Sequence, residues 1–265
     1  MRIGLIAGSG QFPLIFLKMA QSKGYTVYVA AYINEADPLL DKCADAVIRL
    51  HLGQIRRLIR FFKKNNVNQT VMMGAVNKTR IFTDVKPDTL AISLLAKLRH
   101  TQDDNLLSVF AGVLEKKGIR VQPATLFMPD MLADAGCWTR RQPSRSEKND
   151  IEFGWEIAYQ IGKLDIGQCV VVGGGSVLAV EAIDGTDATI LRGGKLGKGH
   201  AIVVKRCKPN QDTRFDMPAV GIDTIKTMRM ANIKVLIIEA GKAVVFDRRE
   251  MIDRADLSDI TIVAK

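Results

Sequence analysis

Charged side chains of both signs are concentrated in one loop near the carboxyl-terminal end of the chain, in KPNQDTRFDMPAVG and just before it. Cations can spread the charge of a phosphate group, and a carboxylate can position a metal ion or a water molecule, so the combination is typical of phosphoryl chemistry. Surface ion pairs produce the same composition, and charge content alone leaves both interpretations open. The side chains concerned are Lys205, Lys208, Asp212, Arg214 and Asp216.

A second acidic segment, VEAIDGTDATI, precedes this loop. Glu181, Asp184 and Asp187 lie there around Gly185 and Thr186. Carboxylate oxygens are ligands that magnesium prefers, and magnesium keeps several of its waters when it binds to them. Thr186 or Asp187 can equally cap the start of a helix, so a magnesium site and a helix cap both remain open.

The amino-terminal stretch AGSGQFP is a glycine-containing loop between an apolar run and a helical pattern. The backbone N–H groups of Gly8, Ser9 and Gly10 can cradle a phosphate there, because the helix dipole favours negative charge. Pro13 stands where the third glycine of a dinucleotide fingerprint belongs. The loop therefore predicts either contact with an anion or nucleotide, or a tight turn without a ligand.

A third loop, MGAVNKTR, follows the fourth predicted strand and places Asn77 at its end. Ligands bind at the carboxyl edge of parallel sheets. A solvated loop is the alternative.

Short apolar runs alternate with helical patterns over the first half of the chain, which favours a parallel sheet. The second half contains a hairpin pattern that turns at residues 173–175, which favours a mixed sheet. We predict an α/β protein of two domains, an N-terminal parallel Rossmann-like sheet and a C-terminal mixed-sheet domain that carries the catalytic loop. The glycine-rich stretch LRGGKLGKGH is expected to be mobile.

The polar and basic segment 136–150 has no periodicity and is predicted to be a linker. It would separate an N-terminal domain at 1–135 from a C-terminal domain at 151–265.

The composition excludes several classes of protein. The 265 residues carry a net charge of +10, which attracts polyanions of any kind, but no RNA-binding or helix-turn-helix motif is present and we expect no nucleic-acid partner. No apolar run reaches the roughly 20 residues that span a bilayer, and no signal pattern opens the chain, so we expect a cytoplasmic protein. The spacing of cysteines and histidines suggests neither zinc nor disulfides.

Several blocks occur together in an order typical of one family, over about residues 2–250: LIAGSGQFP, MGAVNKTR, TQDDNLL, LDIGQCVVV, VLAVEAIDGTDA and VVKRCKPNQDTRFDMPAVGIDTI. The sequence resembles the LpxI type of UDP-2,3-diacylglucosamine pyrophosphatase, which acts in lipid A biosynthesis. The resemblance implies hydrolysis of UDP-2,3-diacylglucosamine to 2,3-diacylglucosamine 1-phosphate and UMP. It also implies a magnesium requirement, attack of water on the β-phosphorus, and a lipid-linked nucleotide held between two domains.

The resemblance places the family's essential aspartate, which lies in an R-x-D-[LM]-P motif, at Asp216. We expect Asp187 and Glu181 to be further metal contacts. The expected substrate-binding residues are Gly8, Ser9, Gly10, Asn77, Asp103, Asp104, Gln168, Thr186, Lys205, Lys208 and Arg214. The basic charge and the diacylated substrate predict peripheral contact with the inner membrane of a Gram-negative bacterium. The sequence is compatible with an oligomer.

Two other classes of function remain as alternatives. A UDP-sugar-binding protein without catalysis would keep the same loops. A dinucleotide-dependent oxidoreductase is disfavoured by the interrupted glycine fingerprint.

Overall fold

The computed structural model describes residues 1–76, 85–95, 103–209, 211–215 and 217–265, with the side chains of residues 95 and 103–106 left outside the description. The chain forms two compact units. The N-terminal unit comprises Met1–Met128 and Asp212–Phe215, and the C-terminal unit comprises Pro129–Gln211 and Asp216–Lys265. No helix within the described ranges is long and apolar enough to cross a membrane.

The N-terminal unit is built on a parallel sheet with the strand order β3-β2-β1-β4-β5. Its strands are β1 (Arg2–Ala7), β2 (Thr26–Tyr32), β3 (Ala46–Leu50), β4 (Gln69–Met73) and β5 (Arg120–Val121). Its helices are α1 (Phe12–Ser22), α2 (Leu40–Cys43), α3 (Ile55–Lys64), α4 (Thr89–Leu95) and α5 (Asp103–Lys116). This arrangement confirms the predicted parallel sheet.

The strand order reverses between β1 and β4. The chain adds β2 and β3 on one side of β1 and then returns to place β4 on the other side. In open parallel sheets, this switch point is where the loops after neighbouring strands diverge and leave room for a ligand. The predicted glycine loop follows β1, and the MGAVNKTR segment begins at the end of β4.

The C-terminal unit has a mixed sheet with the strand order β6-β13-β11-β9-β7-β8, and β10 pairs separately with β12. Its strands are β6 (Gly136–Cys137), β7 (Cys169–Gly173), β8 (Ser176–Val180), β9 (Ile202–Lys205), β10 (Ala219–Val220), β11 (Val235–Ile238), β12 (Val244–Val245) and β13 (Thr261–Ala264). Its helices are α6 (Arg145–Lys163), α7 (Gly185–Gly197), α8 (Ile222–Met230) and α9 (Arg248–Leu257). The antiparallel β7–β8 hairpin confirms the prediction for residues 173–175.

Side chains that alternate along β7 divide the core of this unit between the two faces of its sheet. Val170 and Val172 pack in the cluster that contains Ile161 of α6. Val171 packs in the cluster that contains Ile190 of α7 and also residues of α8 and α9. The sheet therefore lies between α6 on one face and three helices on the other.

The segment predicted as a linker contains structure instead. Residues 136–150 include β6 and the first turns of α6, and the two compact units divide at Met128. The polar residues that suggested a linker form the start of the helix, because the Ser144 hydroxyl accepts from the Glu147 N–H (3.3 Å) and the Glu147 carboxylate accepts from the Ser144 N–H (2.7 Å). The polar residues of a capping box make the hydrogen bonds that begin a helix, so their polarity does not indicate a linker.

The glycine-rich stretch that we expected to be mobile forms the second half of α7. Its glycines allow the helix to approach its neighbours closely. A methyl group at Gly193 would come within 2.5 Å of Val171 Cγ1, and one at Gly194 within 2.6 Å of Ala231 Cβ. Packing against β7 and the end of α8 therefore outweighs the low helix propensity of glycine.

A Gly194→Ala substitution should destabilise the C-terminal unit by roughly 1–3 kcal/mol, because the added methyl overlaps Ala231. Gly112 in α5 is the matched control, because a methyl group there meets nothing within 4 Å. Gly112→Ala should stabilise the N-terminal unit by about 0.5–1 kcal/mol through helix propensity alone. Thermal unfolding followed by circular dichroism measures both effects, and stabilisation by Gly194→Ala would contradict the packing account.

Candidate active site

The two loops at the switch point are hydrogen-bonded to each other. The Gly8 N–H donates to the Met73 carbonyl (2.8 Å), the Ser9 N–H donates to the Ala75 carbonyl (2.7 Å), and the Ala75 N–H donates back to the Ser9 carbonyl (3.1 Å). Gly74 permits this contact at φ 87°, since a methyl group there would lie 2.5 Å from the Ser9 oxygen. The N–H groups of Gly8 and Ser9, which we predicted to bind phosphate, therefore already donate hydrogen bonds to the neighbouring loop.

Gly10 is the member of the predicted glycine loop that stays open to a ligand. It is exposed at φ 93°, and its N–H meets no acceptor among the described residues. It lies just before α1, whose N-cap residue Gln11 makes no capping hydrogen bond through its side chain. Contact with an anion at this loop would use Gly10 and the positive end of the α1 dipole.

In the C-terminal unit, a buried cation lies at the end of β9. Lys205 is 7% exposed and donates from Nζ to the Ala219 carbonyl at 2.8 Å. It pairs across the sheet with Cys169 of β7. Burial, with a further contribution from the Glu181 and Asp187 carboxylates, raises the pKa of the Cys169 thiol to about 12 despite the opposing effect of Lys205. These groups share one electrostatic environment.

The carboxylate of Glu181 joins two loops of this unit. Glu181 is 8% exposed; one oxygen accepts from the Gln168 N–H (3.0 Å) and the other from the Thr186 hydroxyl (2.6 Å). Gln168 precedes β7, and Thr186 lies in the first turn of α7. Thr186 therefore ties the start of the helix to Glu181, which is a structural use of a residue that we predicted to contact substrate.

Glu181 and Asp187, the two predicted metal contacts within the described residues, differ in how far the protein already uses their oxygens. Both oxygens of Glu181 are occupied by protein donors, and Asp187 is exposed with its Oδ1 3.3 Å from the Thr227 hydroxyl. Within the described ranges, no group of three or more His, Cys, Asp or Glu side chains converges; magnesium itself is usually held by only one or two carboxylates, with waters in its other positions. Each Glu181 oxygen accepts one hydrogen bond and keeps a second lone pair, so these bonds alone do not exclude a metal ion.

The composition of the charged loop was compatible with surface ion pairs, and the structure shows that several of its charged residues form them. Arg214 forms a bidentate pair with Asp212, with Nε–Oδ1 3.0 Å and Nη2–Oδ2 2.6 Å, and its Nη1 donates to Glu115 at 2.9 Å. The hydrogen bonds from Arg214 hold the pKa of Asp212 below its usual value. Phe215 lies beneath the guanidinium, with its ring centre 5.0 Å from it. Earlier in the loop, Lys208 pairs with Asp165 at 2.6 Å.

Two amide atoms near this loop are buried without a partner. Gln168 Oε1 and Gln211 Nε2 form no hydrogen bond to any other described residue. The other end of the Gln211 amide accepts from the Lys208 N–H (3.0 Å) and lies 3.1 Å from the Cys207 thiol. Unpaired buried amides are costly, so they are typical of places where water or a ligand supplies the missing bond. The sequence predicted Gln168 but not Gln211, because no motif distinguished it.

Several predicted residues cannot be placed. Asn77 and Asp216 lie outside the described residues, and of Asp103 and Asp104 only the backbone, at the start of α5, is described. Their predicted roles stay predictions.

A Glu181→Gln substitution should lower the free energy of unfolding of the C-terminal unit by about 1–3 kcal/mol, because the new NH₂ group faces a donor. Thr186→Val removes one of the two bonds and should cost about 1 kcal/mol, while Thr186→Ser should retain it. Urea unfolding with and without magnesium measures these changes. If Glu181→Gln were harmless without metal but abolished a magnesium-dependent stabilisation, the carboxylate would be a ligand instead.

The pKa of Cys169 predicts slow alkylation. With iodoacetamide at pH about 8, Cys169 should stay unmodified in the folded protein because its thiolate is scarcely populated and buried. Half-buried Cys43 is the internal control and should react. Peptide mass spectrometry reads both sites, and equal rates in the folded protein would contradict the burial of Cys169.

Comparison with known proteins places the chain in a family. The family model described as the LpxI N-terminal domain matches residues 2–131, and the one described as the LpxI C-terminal domain matches residues 134–263. The protein named UDP-2,3-diacylglucosamine pyrophosphatase LpxI from Caulobacter vibrioides is 30% identical, over 96% of this chain and 94% of its own length.

Solved structures offer weaker likenesses. UDP-glucose-4-epimerase from Stenotrophomonas maltophila matches with a TM-score of 0.32 and 11% identity, over 45% of this chain and 34% of that one. Glycinamide-RNase-transformylase T from Mycobacterium tuberculosis matches with a TM-score of 0.27 and 13% identity, over 53% and 38%. This chain spans less than half of either structure, and the scores are too low to indicate a common fold. The two domain matches and the full-length relative show that the chain belongs to the LpxI family.

Proposed function

We propose that this protein hydrolyses the pyrophosphate of UDP-2,3-diacylglucosamine to 2,3-diacylglucosamine 1-phosphate and UMP. One observation carries the proposal: a relative named for this pyrophosphatase activity aligns over 96% of the chain. In the reaction, a water oxygen bonds to the β-phosphorus and the bond from that phosphorus to the bridging oxygen breaks. UMP leaves with the bridging oxygen.

The described residues support the proposal through the groups that they offer a phosphorylated ligand. Lys205 is a buried cation whose position is fixed by the Ala219 carbonyl. Gln211 Nε2 is a buried donor with no partner among the described residues, and a phosphate oxygen can accept from it once the loop opens; Gln168 Oε1 is a buried acceptor that can receive only a donor, such as a ligand hydroxyl or N–H. Cations and amides held in place before the substrate arrives lower the cost of reorganisation in phosphoryl transfer. In the C-terminal unit, Lys208 would contribute only by exchanging Asp165 for a phosphate oxygen. Arg214, in the N-terminal unit, would have to give up Asp212 in the same way.

Asp216 is the proposed catalytic residue, on the basis of its place in the family motif. A magnesium ion held there would offset charge on the pyrophosphate. Asp216, with Glu181 and Asp187 as further contacts directly or through water, is the proposed set of protein ligands for this ion. Loss of UMP release on addition of a chelator, with recovery on added magnesium, is the expected result.

Peripheral association with the inner membrane is part of the same proposal. It is supported by the net charge of +10 and by the two acyl chains of the proposed substrate.

An Asp216→Asn substitution should lower turnover by on the order of 10²-fold or more, because it removes the carboxylate while keeping its shape. Asp223→Asn is the matched control, since Asp223 is an exposed residue of α8 that pairs with Lys226. Chromatographic measurement of UMP release from detergent-dispersed substrate compares the two variants. Normal turnover by a folded Asp216→Asn protein would overturn the assignment, and UDP-sugar binding without UMP release by the unaltered protein would favour a binding protein.

A further inference from the structure

The N-terminal unit carries a basic groove that the proposed reaction does not use. The groove has a volume of about 710 Å³ and lies between α3, the start of α4 and Lys117, which follows α5. Its lining cations are all exposed and are called its rim, and its two apolar side chains, Ile59 and Leu90, are more buried and are called its floor. The rim residues are Arg56, Arg60, Lys63, Lys64 and Lys117.

The groove follows from the sequence of α3, IRRLIRFFKK. Leu58, Ile59 and Phe62 recur at helical spacing and are buried against the sheet. The remaining positions of the helix include five cations and no carboxylate. Like charges three and four residues apart, such as Arg60 and Lys64, repel each other and destabilise a helix. An isolated surface helix normally avoids that cost by alternating the sign of its charges.

Among the described residues, none of the five rim side chains forms an ion pair. The carboxylate of Asp88 is close in space, but its oxygens accept from the N–H groups of Arg56 (2.6 Å), Leu90 (3.0 Å) and Ala91 (3.0 Å). Glu115 of α5 pairs with Arg214. Within the described ranges, the five rim cations are thus exposed and without an ion-pair partner, and Asp88 offsets only part of their charge.

We propose that this groove is the surface by which the protein docks on an anionic phospholipid bilayer. Its positive rim complements lipid phosphates, and its apolar floor can receive the glycerol and upper acyl region of a lipid. A nucleic acid would use the cations but gain nothing from an apolar floor, and no aromatic side chain lines the groove for base stacking. A second copy of the chain would bring the same charge against itself.

The proposal deepens the proposed function, and rests on it only in so far as a diacylated substrate resides in a bilayer. Docking through α3 would hold the enzyme where that substrate is concentrated. It would do so without contributing to the chemical step.

The test compares two triple variants that remove the same charge. Arg60→Gln, Lys63→Gln and Lys64→Gln together change the groove, whereas Lys18→Gln, Lys42→Gln and Arg249→Gln change exposed cations elsewhere. Co-sedimentation uses vesicles of phosphatidylcholine alone and vesicles in which about a third of the lipid is phosphatidylglycerol. The unaltered protein should bind only the anionic vesicles. The groove variant should bind them on the order of 10²-fold more weakly, since each basic residue near an anionic leaflet contributes roughly a factor of 5, and the control should keep nearly full binding.

Three results would overturn the proposal: equal losses in both variants, no vesicle binding by the unaltered protein, or a preference for duplex nucleic acid that the groove variant loses. UMP release from detergent-dispersed substrate separates this inference from the proposed function. The groove variant should hydrolyse dispersed substrate normally. If the unaltered protein binds anionic vesicles through the groove yet releases no UMP, the proposed function fails and the docking surface stands.

Discussion

The buried carboxylate of Glu181 holds together the two loops that border the candidate site in the C-terminal unit. One oxygen holds the backbone before β7 at Gln168, and the other holds the first turn of α7 at Thr186. A buried carboxylate is costly unless its lone pairs are satisfied, and here donors from both loops satisfy them. The loop before β7 also accepts from the Arg206 N–H through the Gln168 carbonyl, so the position of the segment after β9 depends on the same anchor.

The charged side chains near this anchor are also held in position by the protein. Lys205 is held at the end of β9 by a backbone carbonyl, and the neighbouring Cys169 stays a neutral thiol because burial raises its pKa to about 12. The positive charge of Lys205 is therefore not cancelled by a thiolate beside it. Lys208 and Arg214 differ, because carboxylates of the protein already occupy them. Lys205 is thus held by a backbone carbonyl, whereas Lys208 and Arg214 are each held by a carboxylate.

Much of the fold follows from local patterns in the sequence. Apolar runs that alternate with amphipathic helices predict the parallel sheet, and paired glycines between two β-branched runs predict the β7–β8 hairpin. The patterns mislead where polar or flexible residues have a tertiary purpose. Ser144 and Glu147 form a capping box and not a linker. Gly194 lies in a helix, and glycine is needed at that position because Ala231 leaves no room for a side chain. Neither contact is visible from spacing within the sequence.

The site was predictable to a smaller extent, because residue type does not say which atoms the fold has already used. Gly8 and Ser9 suit a phosphate loop by type, yet their N–H groups bind the strand beside them, and Glu181 suits a metal by type, yet its oxygens hold two loops. Gln211 has no motif and became visible only because its buried Nε2 has no partner among the described residues. The proposed hydrolysis, by attack of water at the β-phosphorus, is tested most directly by turnover in water labelled with oxygen-18. Mass spectrometry should find the label in 2,3-diacylglucosamine 1-phosphate; label in UMP, or no cleavage at all, would contradict the account.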